Sequence, residues 1–76
     1  MEQNLTQFKL KSDLIITSIN QNSLAPKLTD MGLCPGKKVR VLFKAPFGDP
    51  IAIDVEGYLL SLRKEEAALV NAIPST

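Results

Sequence analysis

The fold is decided by residues 28–62, which read LTDMGLCPGKKVRVLFKAPFGDPIAIDVEGYLLSL. Within this stretch, the segments 38–44 and 51–55 alternate apolar and polar residues, a pattern typical of half-buried β-strands. The connection between them, APFGDP at 45–50, contains prolines and a glycine and therefore favours a stiff loop. The two strands are predicted to pair as a hairpin.

The alternation also assigns one face of each strand to the core. We expect the inward residues to be Val39, Val41, Phe43, Ile51, Ile53 and Val55. The outward residues of the first strand are basic and those of the second are acidic, so their charges can complement one another across the hairpin.

On the N-terminal side, the segment LIITSI at 14–19 is rich in β-branched residues and predicts another strand. The pattern does not decide which of its two faces points inward. A short helix is expected to follow, with Ser23 as its N-cap, Pro26 in its first turn and Met31 at its end. Gly32 suits the left-handed backbone conformation that often ends a helix.

On the C-terminal side, Glu56 and Gly57 predict a tight turn into an apolar run at 58–62. Residues 63–68 have a helix-favouring composition with Ser61 as a candidate cap, 69–73 predict a closing strand, and 74–76 are expected to be loose. Together these elements predict a mainly β fold with one or two short helices. We expect a small SH3-like antiparallel β-barrel that is closed and therefore has no open edge.

Length and composition narrow the class of function. The chain has 76 residues, enough for one core, so we expect residues 1–76 to form a single domain. Its formal net charge is +1, which gives no global field for holding nucleic acid or an anionic membrane. The N-terminus lacks the features of a signal peptide and no apolar run is long enough to span a bilayer. A cytoplasmic location without membrane insertion is therefore expected.

The sequence offers little for catalysis or metal binding. It contains no histidine and a single cysteine, Cys34, so the usual general base, the commonest transition-metal ligand and an internal disulfide are all missing. Cys34 is interpreted as a small packing residue. The acidic residues match no calcium loop, and Glu65 and Glu66 suit the first turn of a helix. We therefore expect no enzyme activity, no cofactor and no resident metal.

Two surfaces remain as candidates for binding. One is the basic set Lys37, Lys38, Arg40 and Lys44, which could meet phosphates in a small nucleic-acid-binding module. No outward aromatic residue interleaves these side chains for base stacking, so a solvated or ion-paired face is the preferred interpretation. The other is Phe47, which either folds back over the barrel or contacts a partner.

The apolar stripe of the predicted helix, formed by Leu24, Leu28 and Met31, also has two interpretations: it packs in the core or it contacts a partner. Core packing is the preferred interpretation of this stripe.

The ordered pattern L-x-x-MGL-x-PG-x-x-V-x-V, PFGDP-I-x-I-x-V-x-G and L-x-LR-x-x-EA resembles the FeoA family, small cytosolic proteins associated with bacterial ferrous iron uptake. It covers nearly the whole chain. The residues that carry it are Leu28, Met31, Gly32, Leu33, Pro35, Gly36, Val39, Val41, Pro46, Gly48, Pro50, Ile51, Ile53, Val55, Gly57, Leu60, Leu62, Arg63, Glu66 and Ala67.

The resemblance implies an SH3-like barrel without enzyme activity that assists FeoB, a membrane transporter with a cytosolic G-protein domain. Under this hypothesis the protein docks onto the cytosolic region of FeoB through the helix and the loop. The candidate partner-binding residues are Leu24, Lys27, Met31, Pro46 and Phe47. A nucleic-acid module using the basic set is the alternative, and a direct iron carrier is a third hypothesis that must do without histidine. The oligomeric state is left open.

Overall fold

The computed structural model describes residues 1–75, and within them it contains one six-stranded antiparallel sheet and two short helices. The strands are β1 (Gln3–Asn4), β2 (Asp13–Ile19), β3 (Lys38–Lys44), β4 (Ile51–Val55), β5 (Tyr58–Leu62) and β6 (Val70–Pro74). The helices are α1 (Ala25–Asp30) and α2 (Lys64–Ala67), and 3₁₀ turns span Leu5–Gln7 and Pro46–Gly48.

The strand order in the sheet is β1-β6-β2-β3-β4-β5. The predicted mainly β, barrel-like fold is confirmed, with one correction. We expected a closed barrel, but within residues 1–75 the end strands β1 and β5 pair only with β6 and β4, respectively. The sheet wraps around one core and keeps two edges.

The core is a single cluster of apolar side chains contributed by β2 to β6, both helices and the N-terminal segment. Its largest members, all less than 2% exposed, are Leu5, Leu14, Ile16, Leu28, Leu33, Val41, Ile51, Ile53, Val55, Leu62 and Val70. The inward face of β2, which the sequence left open, is therefore the one that carries Leu14 and Ile16. The predicted inward face of β4 is confirmed.

The alternation predicted for β3 is correct only for its first half. Val39 and Val41 are buried, but the pairing with β4 shifts between Val41 and Phe43. An extra residue in one strand turns all later side chains to the other face. Phe43 is consequently 55% exposed, and the expectation that it lies in the core is wrong. Lys44 turns back and donates hydrogen bonds to backbone carbonyls of the N-terminal segment.

The N-cap of helix α1 lies one residue after the position that the sequence suggested. Leu24 is the N-cap residue, and the Asn22 side-chain oxygen accepts a hydrogen bond from the Leu24 N–H at 3.0 Å, so the assignment of Ser23 as the cap is wrong. The end of the helix is as expected, since Gly32 has a φ of +94°. The C-terminus differs in part from the prediction: Pro74 belongs to β6, while Thr76 lies outside the described residues.

Candidate functional site

Of the candidate partner-binding residues, Lys27 and Met31 line one cavity, Leu24 is the N-cap of α1, and Pro46 and Phe47 lie in the loop between β3 and β4. As a candidate set they are called here the docking surface. Its members are Leu24, Lys27, Met31, Pro46 and Phe47. Leu24 and Met31 are half-buried, and Met31 packs against the core, whereas Lys27, Pro46 and Phe47 are exposed. In the apolar stripe of the helix, Leu28 is therefore wholly in the core, while Leu24 and Met31 lie at its rim.

Phe47 is the most exposed large apolar side chain of the docking surface, at 99%. It does not fold back over the barrel. The turn that carries it is closed by two backbone hydrogen bonds, from Gly48 N–H to the Ala45 carbonyl at 2.8 Å and from Ala45 N–H to the Pro50 carbonyl at 3.0 Å. Phe47 itself has a φ of +70°, a region that L-residues rarely adopt, so the turn holds an apolar ring in water in a strained conformation.

An ion pair between an exposed lysine and a buried carboxylate joins the two helices behind this surface. The Lys27 ammonium lies 2.8 Å from Oε2 of Glu66, which is only 5% exposed. The other carboxylate oxygen of Glu66 accepts a hydrogen bond from the Arg63 N–H at 2.9 Å. Both donors favour the charged carboxylate, first the Lys27 side chain and then the Arg63 backbone, and they hold the pKa of Glu66 below its ordinary value. The sequence suggested only that Glu66 suits the first turn of a helix.

The loop that carries Phe47 is also attached to α2. Oδ1 of Asp49 accepts a hydrogen bond from the Lys64 N–H at 3.0 Å, where the first turn of α2 leaves backbone donors free. The assignment of Ser61 as the cap of this helix is therefore wrong. A surface cavity of about 520 Å³ lies between α1, the loop and the end of β5. Its lining residues are Lys27, Met31, Asp49, Pro50, Ser61, Arg63 and Glu66.

The C-terminal end of α1 is fastened to β5 by a tyrosine. The Tyr58 hydroxyl donates a hydrogen bond to the Met31 carbonyl at 2.6 Å. A Cβ atom added to Gly32 would stand 2.1 Å from the Tyr58 hydroxyl oxygen, so a larger residue here would displace that hydroxyl as well as strain the backbone. These contacts fix the position of Met31 at the rim of the cavity.

The basic set does not form one free surface. Arg40 makes a bidentate ion pair with Asp13 on the neighbouring strand, at 2.6 and 3.0 Å, and Lys37 lies 3.5 Å from the Glu56 carboxylate. We call Asp13, Lys37, Arg40 and Glu56 the ion-paired face. The Arg40 guanidinium lowers the pKa of Asp13.

Lys38 through its backbone and Lys44 through its side chain are also engaged within the fold. The backbone N–H of Lys38 bonds the Glu56 carboxylate and is the main reason that the pKa of Glu56 is lowered. Lys44 donates to the carbonyls of Thr6 and Phe8 at 2.9 and 3.0 Å, so the expectation that it shares a face with Lys38 and Arg40 is wrong. The ion-paired interpretation of the basic set is supported.

Within residues 1–75, no group of three or more histidine, cysteine, aspartate or glutamate side chains is arranged to hold a metal ion. Cys34 is half-buried and free. No helix in the described part of the chain is long and apolar enough to cross a bilayer.

Solved structures place the fold in a class. The FeoA-like protein of Clostridium acetobutylicum is 36% identical, with a TM-score of 0.90 over 99% of this chain and 88% of that one. FeoA of Stenotrophomonas maltophilia, solved with zinc and described as a prokaryotic SH3 domain protein, is 25% identical, with a TM-score of 0.81 over 93% of this chain and 89% of that one. The fold therefore defines a small SH3-like domain.

A manganese-dependent transcriptional repressor shares this fold with a TM-score of 0.89, although the match is only 14% identical and covers 96% of this chain and 36% of that one. That likeness concerns the fold alone. The family is decided by sequence, because the model of the FeoA domain matches residues 3–73. The chain belongs to the FeoA family, which is linked to ferrous iron transport.

Proposed function

We propose that this protein is a non-enzymatic accessory protein of ferrous iron transport that works in the cytoplasm by binding the cytosolic region of a FeoB-type transporter. Membership of the FeoA family supports the link to iron transport. The observation that carries the docking hypothesis is the exposure of Phe47, which is 99% open to solvent on a hydrogen-bonded turn. An apolar ring held away from its own core is typical of a contact residue.

Burial of the Phe47 ring against a partner would remove apolar surface from water, which stabilises a complex by about 1.5 to 3 kcal/mol for a side chain of this size. The turn is already formed in the free protein, so little ordering accompanies binding. The adjoining cavity adds no net charge, because Lys27 and Arg63 are matched there by Asp49 and Glu66, so the apolar ring carries the proposed contact.

The test is a binding measurement between the full chain and the cytosolic domain of the FeoB from the same organism, by calorimetry and by co-purification. Phe47→Asp is expected to weaken the affinity at least tenfold, because a charge would replace the buried ring. Leu24→Asp and Met31→Asp are expected to weaken it as well, provided that circular dichroism shows them to be folded.

The matched control is Leu10→Asp, because Leu10 is also exposed, at 52%, but lies outside the docking surface. This variant is expected to bind like the wild type. Absence of binding by the wild type would refute the proposal, and so would equal affinities for Phe47→Asp and Leu10→Asp.

A nucleic-acid role is not proposed, because Arg40, Lys37 and Lys44 are engaged within the fold. Direct iron carriage is not proposed either, since the sequence has no histidine and a single thiol. The function proposed here is that of a docking protein.

A further inference from the structure

The docking surface is divided between two elements, and within residues 1–75 no hydrogen bond joins them directly. One half is formed by α1 with its two cap residues, and the other half is the loop between β3 and β4 that carries Phe47. A partner that contacts both halves at once needs them at a fixed spacing, because any ordering on binding reduces the affinity. What holds the loop relative to α1 is therefore part of recognition.

The position of this loop is not fixed by packing. None of residues 46–48 is buried. The two backbone hydrogen bonds that close the turn connect residues of the segment 45–50 to each other. Within residues 1–75, the one hydrogen bond from residues 46–49 to another element is the bond at 3.0 Å that the Lys64 N–H donates to Oδ1 of Asp49.

Open space lies on two sides of this bond. Asp49 borders the cavity of about 520 Å³ described above. It also borders a second cavity, of about 430 Å³, whose other lining residues are Thr6, Lys64, Glu65 and Ala68. A segment without buried side chains and with cavities beside it moves easily unless a specific contact holds it. The Asp49 carboxylate supplies that contact.

Helix α2, to which Asp49 is bonded, is itself attached to the rest of the fold. Ala67 is completely buried in the core, and Glu66 lies 2.8 Å from the Lys27 ammonium of α1. The Lys64 N–H belongs to the first turn of α2, where backbone donors have no acceptor within the helix. Two carboxylates thus connect the loop to α1 through α2, Asp49 on the loop side and Glu66 on the side of α1.

We propose that Asp49 is a positioning residue for recognition, which fixes the place of Phe47 relative to α1 by bonding the loop to α2. This inference rests on the proposed function, because it concerns the same docking surface. Asp49 acts through the loop and not by touching the partner. Without its bond to Lys64, the loop must be ordered when the partner binds, and part of the affinity is lost.

The experiment measures binding of the full chain to the cytosolic FeoB domain by calorimetry. Asp49→Ala removes the acceptor and is expected to weaken the affinity about fivefold or more, because the loop must then be ordered on binding. Asp49→Asn keeps an acceptor oxygen and is expected to bind within about twofold of the wild type. With Phe47→Ala already present, Asp49→Ala is expected to change the affinity less than about twofold, since the loop then has no ring to present.

A second pair of variants changes the donor instead of the acceptor. Lys64→Pro removes the N–H at the first residue of α2, a position where proline is well tolerated, and it is expected to weaken binding as Asp49→Ala does. Lys64→Ala is the matched control, because it removes the same side chain but keeps the N–H, and it is expected to bind like the wild type. If Asp49→Ala fails to fold, this pair decides the question.

Residual dipolar couplings of residues 46–48, measured by NMR in the free protein, test the inference without the partner. They are expected to fit the orientation of the sheet in the wild type and in Asp49→Asn, and to be averaged toward zero in Asp49→Ala. Unchanged couplings in Asp49→Ala would overturn the inference. So would equal losses of affinity with and without Phe47→Ala, because a purely structural role acts on both alike. A wild type that does not bind FeoB refutes the proposed function, and the couplings still decide whether Asp49 positions the loop.

Discussion

The docking surface and the ion-paired face both place lysine or arginine next to carboxylates, but they use them in opposite ways. On the ion-paired face, Asp13 and Arg40 are about half-exposed and satisfy each other. At the docking surface, the carboxylate of Glu66 is almost completely buried and holds α1 against α2, while the apolar ring of Phe47 faces solvent. The comparison shows that the charges of both surfaces are already paired within the protein, whereas the ring of Phe47 is left exposed to solvent.

The largest loss of stability is expected from a substitution at Gly32, which lies behind the docking surface. Gly32→Ala should lower the free energy of unfolding by about 2 to 3 kcal/mol, because it combines left-handed strain with loss of the Tyr58 hydrogen bond to Met31. Urea denaturation measures the loss. Gly36→Ala is the matched control, since Gly36 has a similar φ of +93° but open space around it, and about 1 to 2 kcal/mol is expected there. Equal losses at both sites would contradict the role assigned to Tyr58.

A smaller effect is expected from loss of the Lys27–Glu66 ion pair. Glu66→Gln should cost about 1 to 2 kcal/mol of stability near pH 7, because the charged bond to Lys27 is lost while the amide oxygen can still accept from the Arg63 N–H. Thermal unfolding of the two proteins in parallel measures the difference.

The stability difference between wild type and Glu66→Gln should shrink as the pH falls. The pKa of Glu66 is lower in the folded state than its ordinary value of 4.5, so its contribution is complete above that value and is lost as the pH falls through the folded pKa. The gap between wild type and Glu66→Gln is therefore expected to close in acid below about pH 4.5. A gap that widens in acid would refute the assignment.

The smallest effect is expected on the ion-paired face. Asp13→Asn should change the unfolding midpoint less than Glu66→Gln does, because the Asp13 and Arg40 side chains remain hydrated and their attraction is screened by salt. Repeating the measurement in high salt should remove what difference there is. If Asp13→Asn proves more harmful than Glu66→Gln, the contrast between the two surfaces fails.

Sequence patterns predicted the parts of the fold that depend on local periodicity. The core face of β4 and the left-handed end of α1 at Gly32 follow from such patterns and are confirmed. The bulge in β3 could not be read in the same way, since Leu42 and Phe43 continue an apolar stretch and nothing in their spacing marks an extra residue. The exposure of Phe43 was missed for that reason.

The candidate site was predicted less completely, because its contacts are distant in sequence. Lys27 and Glu66 are 39 residues apart, and only the fold brings them together. One local signal was available, since Glu66 follows Arg63 by three residues, the spacing of a glutamate that reaches back to the start of a helix. Asp49 capping α2 across the loop had no such signal.

The stiffness of the turn around Phe47 has a consequence for recognition kinetics. A ring on a flexible segment must search for its pocket after each encounter, whereas the backbone beneath this ring is already held because Ala45, Gly48 and Pro50 close the turn. Docking through this turn therefore needs little reordering of the backbone. Substitutions in the partner's pocket are expected to change the dissociation rate far more than the association rate.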